Sequence, residues 1–222
     1  MINSLSDYKF YLEADRVSLR IEEVLQHKSE LAVAEKLEIW KFQRLLRKVE
    51  YYQNCKCQES LWIPYYKILL SRFIKLSQKL TYSIPPNVFG PGLAIKHRGT
   101  IVIAETARIG ANCNLHVCTN IGVKAGEPHK VPNLGDNIYI GPGVKIFGDV
   151  KIADNVAIGA NAVVNKSFLE PDIAIAGIPA QKINSKGSTG IVRKATEIVR
   201  ARRLGSCEII VQETKLSEFS NK

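Results

Sequence analysis

The stretch "LGDNIYIGPGVKIFGDVKIADNVAIGANAVV", residues Leu134–Val164, carries an aliphatic residue at every sixth position: Leu134, Ile140, Ile146, Ile152, Ile158 and Val164. A period of six fits neither an amphipathic helix nor a hairpin meander, whose strands reverse direction and would not hold one phase over so many units. It fits a coil of short parallel strands joined by tight turns, three hexads making one triangular turn. Upstream the same period runs through Phe89 and Ile95, slips by two residues, and resumes at Ile103, Ile109, Leu115 and Ile121. A second slip, a seven-residue insertion within "VKAGEPHKVP" (residues 123–132), separates Ile121 from Leu134. Each aliphatic is expected to point into a narrow axial core. The glycines that follow, Gly110, Gly122, Gly135, Gly141 and Gly159, are expected to let the backbone bend at corners. One hexad cannot bury its apolar residue alone, so stacking of successive coils supplies the stability.

Outward from the coil, "SIPPNVFGPG" (residues 83–92) clusters proline and glycine and marks a boundary. The reading is therefore residues 1–82 as a helical domain, 83–184 as the β coil and 185–222 as a tail, partly helical through "TEIVRARRL" (residues 196–204). Apolar residues at three-and-four spacing, such as Leu69, Leu70, Phe73, Ile74 and Leu76, predict two or three short helices before the coil, interrupted at "WIPYY" (residues 62–66).

Composition narrows the class. Five cysteines, Cys55, Cys57, Cys113, Cys118 and Cys207, are an odd number, and reduced thiols are expected. Cys55-x-Cys57 is too closely spaced for a zinc pair, and no metal is expected. Apolar runs are broken well short of a membrane span and "MINSLSDYKF" lacks a leader's apolar core, which predicts a cytoplasmic protein with no membrane span. The net charge of +10 attracts anions of any kind. Much of that excess sits in helical segments near the two ends, and with no aromatic-basic motif nucleic-acid binding is set aside.

Residues 90–183 resemble the hexapeptide-repeat acyltransferases, and among them the serine acetyltransferase branch. Three motifs carry the likeness in order: "KHRGTIVIAETARIG" (96–110), similar to the signature around that family's catalytic histidine; "IGPGVKIFGDVKIADNVAIGANAVV" (140–164), similar to its cofactor-binding coils; and "IAGIPAQKI" (175–183), similar to its closing "AGVPAR". The resemblance implies a mainly β fold, a left-handed parallel β-helix behind a small α-helical domain. It implies acetyl-CoA as co-substrate, a hydroxyl acceptor, and a homotrimer, with pairing into hexamers left open, whose active sites lie between adjacent coils. His97 falls on the catalytic histidine. An alcohol needs a base to take its proton as it attacks a thioester, and imidazole, with an unperturbed pKa of ~6.5, is largely neutral and available at pH 7. His129, on the insertion, is the candidate second catalytic residue. Gly122, Gly141, Pro142, Gly159 and Ala160 fall where backbone groups meet the cofactor arm, and Ala180 and Lys182 near its nucleotide end.

Departures from the family bear on the acceptor. Lys96 stands for an aspartate before the histidine, Pro128 for a carboxylate-gripping arginine, and Ser83 near an aspartate that orients the base. Lys96 and Asp15, in "YLEADR", are the candidate substrate-binding residues, Asp15 as a helix-borne carboxylate for a substrate amine. L-serine or a related small hydroxyl compound is one acceptor, and a sugar hydroxyl of a surface polysaccharide or its precursor, favoured by the altered charges, is the other. Two further readings stand beside these: a metal-dependent β-helix enzyme using several histidines, and a non-catalytic assembly module. Strand alternation points His97 and His116 in different directions, which speaks against the metal.

Overall fold

The computed structural model describes residues 1–27 and 29–204; the end of the tail, including Cys207, lies outside the described residues. Numbered along the chain, four helices come first: α1 (Leu5–Ser18), α2 (Ile21–His27), α3 (Glu30–Tyr51) and α4 (Ile63–Leu80). More helix forms than the expected two or three short ones. The expected break holds between α3 and α4, but Pro64 sits in the first turn of α4, where a missing N–H costs nothing.

The coil follows as three parallel sheets. The first stacks β1 (Tyr82–Ser83), β3 (Ile101–Ile103), β6 (Thr119–Gly122), β9 (Lys145–Phe147) and β12 (Val163–Val164). The second stacks β4 (Arg108–Ile109), β7 (Asn133–Leu134) and β10 (Lys151–Ile152). The third stacks β2 (Ala94–Ile95), β5 (Asn114–Leu115), β8 (Tyr139–Ile140), β11 (Ala157–Ile158) and β13 (Ala174–Gly177), closed by the antiparallel β14 (Ala180–Asn184). Every aliphatic of the six-residue repeat is buried in one continuous core, from Phe89 to Val164. Register locks the coils together: Ile95 pairs with Leu115, Leu115 with Ile140, and Ile140 with Ile158.

The glycines of the repeat act differently from expectation. None of Gly110, Gly122, Gly135, Gly141 and Gly159 has positive φ; the left-handed corners are instead taken by Asn112, Asn137, Asn155 and Asn161, at φ 57–60°. Asparagine tolerates that region because its short side chain bonds locally. Here those side chains also stack: Asn112 Nδ2 donates to Asn137 Oδ1, and Asn137 Nδ2 to Asn155 Oδ1, both at 2.8 Å. The glycines are needed for close approach. A Cβ on Gly110 would lie 2.6 Å from the Gly135 carbonyl oxygen, and one on Gly141 2.8 Å from the Ala160 nitrogen.

Helix α3 caps the open end of the coil. Strand β2 is an edge, and an unpaired edge needs cover. Gln43 supplies it, its Nε2 donating to the Leu93 carbonyl at 2.7 Å and its Oε1 accepting the Ile95 N–H at 3.3 Å. One helical turn on, the fully buried Arg47 bonds Asp15 Oδ2 through Nε at 2.8 Å and Glu50 Oε2 through Nη1 at 3.0 Å. It also donates to the carbonyls of Phe89 (2.8 Å) and Gly90 (2.7 Å), tying α1, α3 and the first coil into one unit. Beyond β14 the chain runs back along the asparagine corner: Ser188 N–H donates to the Asn155 carbonyl, and Thr196 N–H to Asn112 Oδ1. Its last described element is α5 (Ala195–Arg203), whose Ile198 and Val199 pack on Ala14 and Val17 of α1. Among the described residues no helix is long and apolar enough to cross a membrane, and Cys55, Cys57, Cys113 and Cys118 are free.

Candidate active site

The candidate site is centred on the two-residue slip after Ile95. Lys96 still belongs to the ladder, its N–H donating to the Leu115 carbonyl at 2.9 Å, so it sits directly over His116 of the next coil. His97 and Arg98 then leave the ladder, and Gly99, at φ 139°, turns the chain into β3. The extra residues bulge the corner outward and carry the His97 ring out of the stack, its side chain 62% exposed. Two anchors hold the bulge: the Tyr82 hydroxyl donates to the His97 carbonyl at 2.9 Å, and the Arg98 N–H donates to Glu35 Oε1 at 2.9 Å.

Glu35 lies on α3, and the same Oε1 stands 3.7 Å from His97 Nδ1. That leaves Nε2 as the nitrogen facing away from the helix. The ring centroid of His97 is 6.2 Å from that of His116, which in turn meets the Tyr139 ring edge-on at 5.3 Å. The expected divergence of the two histidines is thus corrected. Alternation governs only side chains within a strand, and both rings sit past the ends of their strands, at the same corner. Among the described residues, no group of three or more His, Cys, Asp or Glu side chains is placed to hold a metal ion.

The electrostatics of the corner are basic. Burial, and then the nearby charges of Lys36 and Arg20, push Lys96 down to about 8, so it stays mostly protonated at neutral pH. Burial, followed by Lys96, His97 and Lys36, pushes His116 down to about 4 and keeps that ring neutral. Lys36 is lowered by burial against the pull of Glu35, and its Nζ donates to the Lys96 carbonyl at 3.1 Å.

The other expected site residues fall in several places. Gly141 and Pro142, then Gly159 and Ala160, occupy the same corner on successive coils, since the Gly141 N–H donates to the Ile158 carbonyl and that of Gly159 to Ile175. At ~4.8 Å per coil, Pro142 lies about 10 Å along the prism from the level of His97. Gly122 ends β6 on a different sheet, beside an open cleft of ≈ 410 Å³ lined by Lys124, Lys130, Phe147, Gly148, Asp149 and Asn165. Ala180 is buried in the closing hairpin, and Lys182 pairs with Glu170 at 2.6 Å. His129 is exposed on the insertion, a loop pinned by Glu127 between Lys124 and Lys130. The structure brings it to none of the residues around His97.

Asp15 requires a correction. It has no exposed surface, and its carboxylate is occupied by Arg47 and by the N–H groups of Gly92 (2.8 Å) and Leu93 (2.9 Å). A carboxylate so enclosed holds the first coil to α1 and cannot meet a substrate amine. Glu35, Lys36, Tyr82 and Tyr139 joined the site without notice from the sequence. For the two helical residues no local signal existed; for His116, the twenty-residue step from Lys96 across the slip, one coil plus two residues, would have placed it beneath.

The repeat matches a family model described as bacterial transferase hexapeptide (six repeats), over residues 132–166. That match covers the later coils alone. A serine acetyltransferase from Mycobacterium tuberculosis is 36% identical over 102 residues, 45% of this chain and 43% of that protein. One from Staphylococcus epidermidis is 38% identical over 104 residues, 46% of this chain and 48% of that protein. The chain thus spans about half the length of the curated relatives it matches. Among solved structures, the serine acetyltransferase from Brucella abortus superposes with a TM-score of 0.59 at 23% identity, covering 83% of this chain and 72% of that one. The soybean serine acetyltransferase apoenzyme gives 0.63 at 22% identity, covering 80% and 69%. These likenesses establish the fold: a left-handed parallel β-helix behind an N-terminal helical region.

Proposed function

We propose that this protein is an acetyl-CoA-dependent O-acetyltransferase, residues 83–184 forming its catalytic domain behind a helical domain at 1–82, with His97 as general base. The observation that carries the reading is an imidazole lifted off the coil by the slip, with Nδ1 toward the Glu35 carboxylate and Nε2 open to a substrate. A carboxylate 3.7 Å from one ring nitrogen stabilises, by its charge, the imidazolium that forms when the other takes a proton. Nε2 accepts the acceptor's hydroxyl proton as its oxygen attacks the thioester carbonyl, and returns it to the departing thiolate. Acetyl-CoA supplies an already activated acyl group, so the acceptor oxygen attacks it directly and no covalent enzyme intermediate is needed. The small residues of the corner below, Gly141, Pro142, Gly159 and Ala160, put no bulky side chain in the way of an extended pantetheine arm.

A trimer completes the reading. Gly122, Ala180, Lys182 and the His129 loop lie off the His97 corner within one chain, and a neighbouring copy would bring such surfaces to it. The protein is expected to act in the cytoplasm. The acceptor is L-serine or a related small hydroxyl compound; a sugar hydroxyl is the second reading, favoured by Lys96 and Pro128 standing where charges for a free amino acid are expected. The deciding assay is thiol release from acetyl-CoA with serine and with activated sugars. Release with neither, from a protein whose melting temperature acetyl-CoA does not raise, would leave a binding module instead.

A further inference from the structure

Lys96 and Lys36 bring two ammonium groups to the corner that holds His97. Lys96 is the residue immediately before His97, stacked over His116, and the head of Lys36 lies against the Lys96 backbone at 3.1 Å. Among the described residues neither ammonium forms an ion pair, while every neighbouring carboxylate is committed. Glu35 accepts from Arg98 and faces His97, Glu38 pairs with Lys79 and Arg98, Glu23 with Arg20 and Arg193, and Asp15 is enclosed by Arg47. Two like charges held partly out of water, with only the pull of Glu35 on Lys36 against them, oppose folding, and apolar residues would serve stability better. The arrangement is explained by an anion that arrives with the substrate.

Resting on the transferase reading above, we propose that Lys96 and Lys36 form an anion subsite beside His97. The acceptor is then a hydroxy compound bearing a carboxylate or a phosphate and no ammonium group. The His97 ring lies 6.2 Å from that of His116, on which the charges of both Lys96 and Lys36 act, so a hydroxyl at His97 Nε2 places the rest of a small acceptor toward the two lysines. An anionic group there gains charge-assisted hydrogen bonds from both lysines. An ammonium group would meet the same two cations with no uncommitted carboxylate to receive it.

The test compares 3-hydroxypropionate (serine without its ammonium), glycerol 3-phosphate, L-serine and neutral glycerol as acceptors, by thiol release from acetyl-CoA. Carboxylate or phosphate acceptors should exceed serine and glycerol in kcat/KM by about tenfold or more, and the better of the two anions identifies the group. Lys96→Met and Lys36→Gln should each lower kcat/KM for the anions about 10–100-fold, mainly through KM, a clearly larger loss than for glycerol. Preference for serine or glycerol, or equal losses for charged and neutral acceptors, overturns the proposal. If no acceptor is acetylated, the transferase reading fails and the subsite is judged separately, by calorimetric titration of the two anions into wild-type and both variants. Binding that either folded variant abolishes upholds the subsite, and no binding to wild type ends it.

Discussion

Replacing Arg47 by methionine tests how the helical layer is held to the coil and, through it, how the site is assembled. Arg47 and Asp15 have side chains with no exposed surface, and that of Glu50 has 2%. Burial opposes the guanidinium charge, but the two carboxylates outweigh it and hold Arg47 above its ordinary value. Removing it leaves two enclosed carboxylates without a cation and the Phe89 and Gly90 carbonyls without a donor. Breaking a buried pair from one side costs ~3–5 kcal/mol, which for a protein of this size is a fall of roughly 6–20 °C in melting temperature. Urea unfolding followed by tryptophan fluorescence measures it. Adding Asp15→Asn and Glu50→Gln to the Arg47→Met protein removes the stranded charges but keeps acceptors for the Gly92, Leu93 and Asn87 N–H groups, so a substantial part of the loss should return. A single variant within ~1 kcal/mol of wild type, or no recovery in the triple one, would refute the account. Because α3 also carries Glu35 and Lys36, acetyl transfer should fall with stability in the single variant.

Four further outcomes are expected. His97→Ala should lower turnover by ~10²–10⁴-fold with folding intact, checked by steady-state kinetics alongside circular dichroism. Glu35→Gln should lower kcat by roughly tenfold with little change in KM, and Glu35→Asp should restore part of it; unchanged kcat in the glutamine variant would free His97 from the helix. Gly135→Ala places a Cβ 2.9 Å from the Asp154 nitrogen and should cost ~1–3 kcal/mol by overpacking, whereas Gly122→Ala meets only the Asn120 side chain, at 3.3 Å, and should fold normally while weakening acetyl-CoA binding. With Lys96 lowered from 10.5 to about 8 in the folded state, the unfolded chain binds the proton more tightly. Its burden on stability is therefore full below about pH 8 and is relieved, by about 3 kcal/mol at most, as pH rises toward 10.5, and melting of wild type against Lys96→Met across that window reads the change.

The repeat made the scaffold legible because a prism built of six-residue sides must place one core residue per side. Phe89 through Val164 could be read off by counting, and the slip after Ile95 marked where the coil departs from itself. The same count misjudged the glycines: a sequence shows that a small residue is required but not whether φ or crowding requires it. The register of neighbouring coils decided for crowding.

What the sequence alone determined is therefore the local, periodic part: the parallel coil, its core and the slip at which His97 stands. What only tertiary structure decided is what meets that histidine. Glu35 and Lys36 lie some sixty residues away on a helix whose docking depends on Gln43 and Arg47 reaching an open strand edge, and no pattern along the chain announces which helix face will do so. The same docking enclosed Asp15, because its carboxylate was the acceptor that the Gly92 and Leu93 N–H groups and the Arg47 guanidinium required. Periodicity reports what a residue does within its own element, whereas contact between elements depends on the packing of both surfaces.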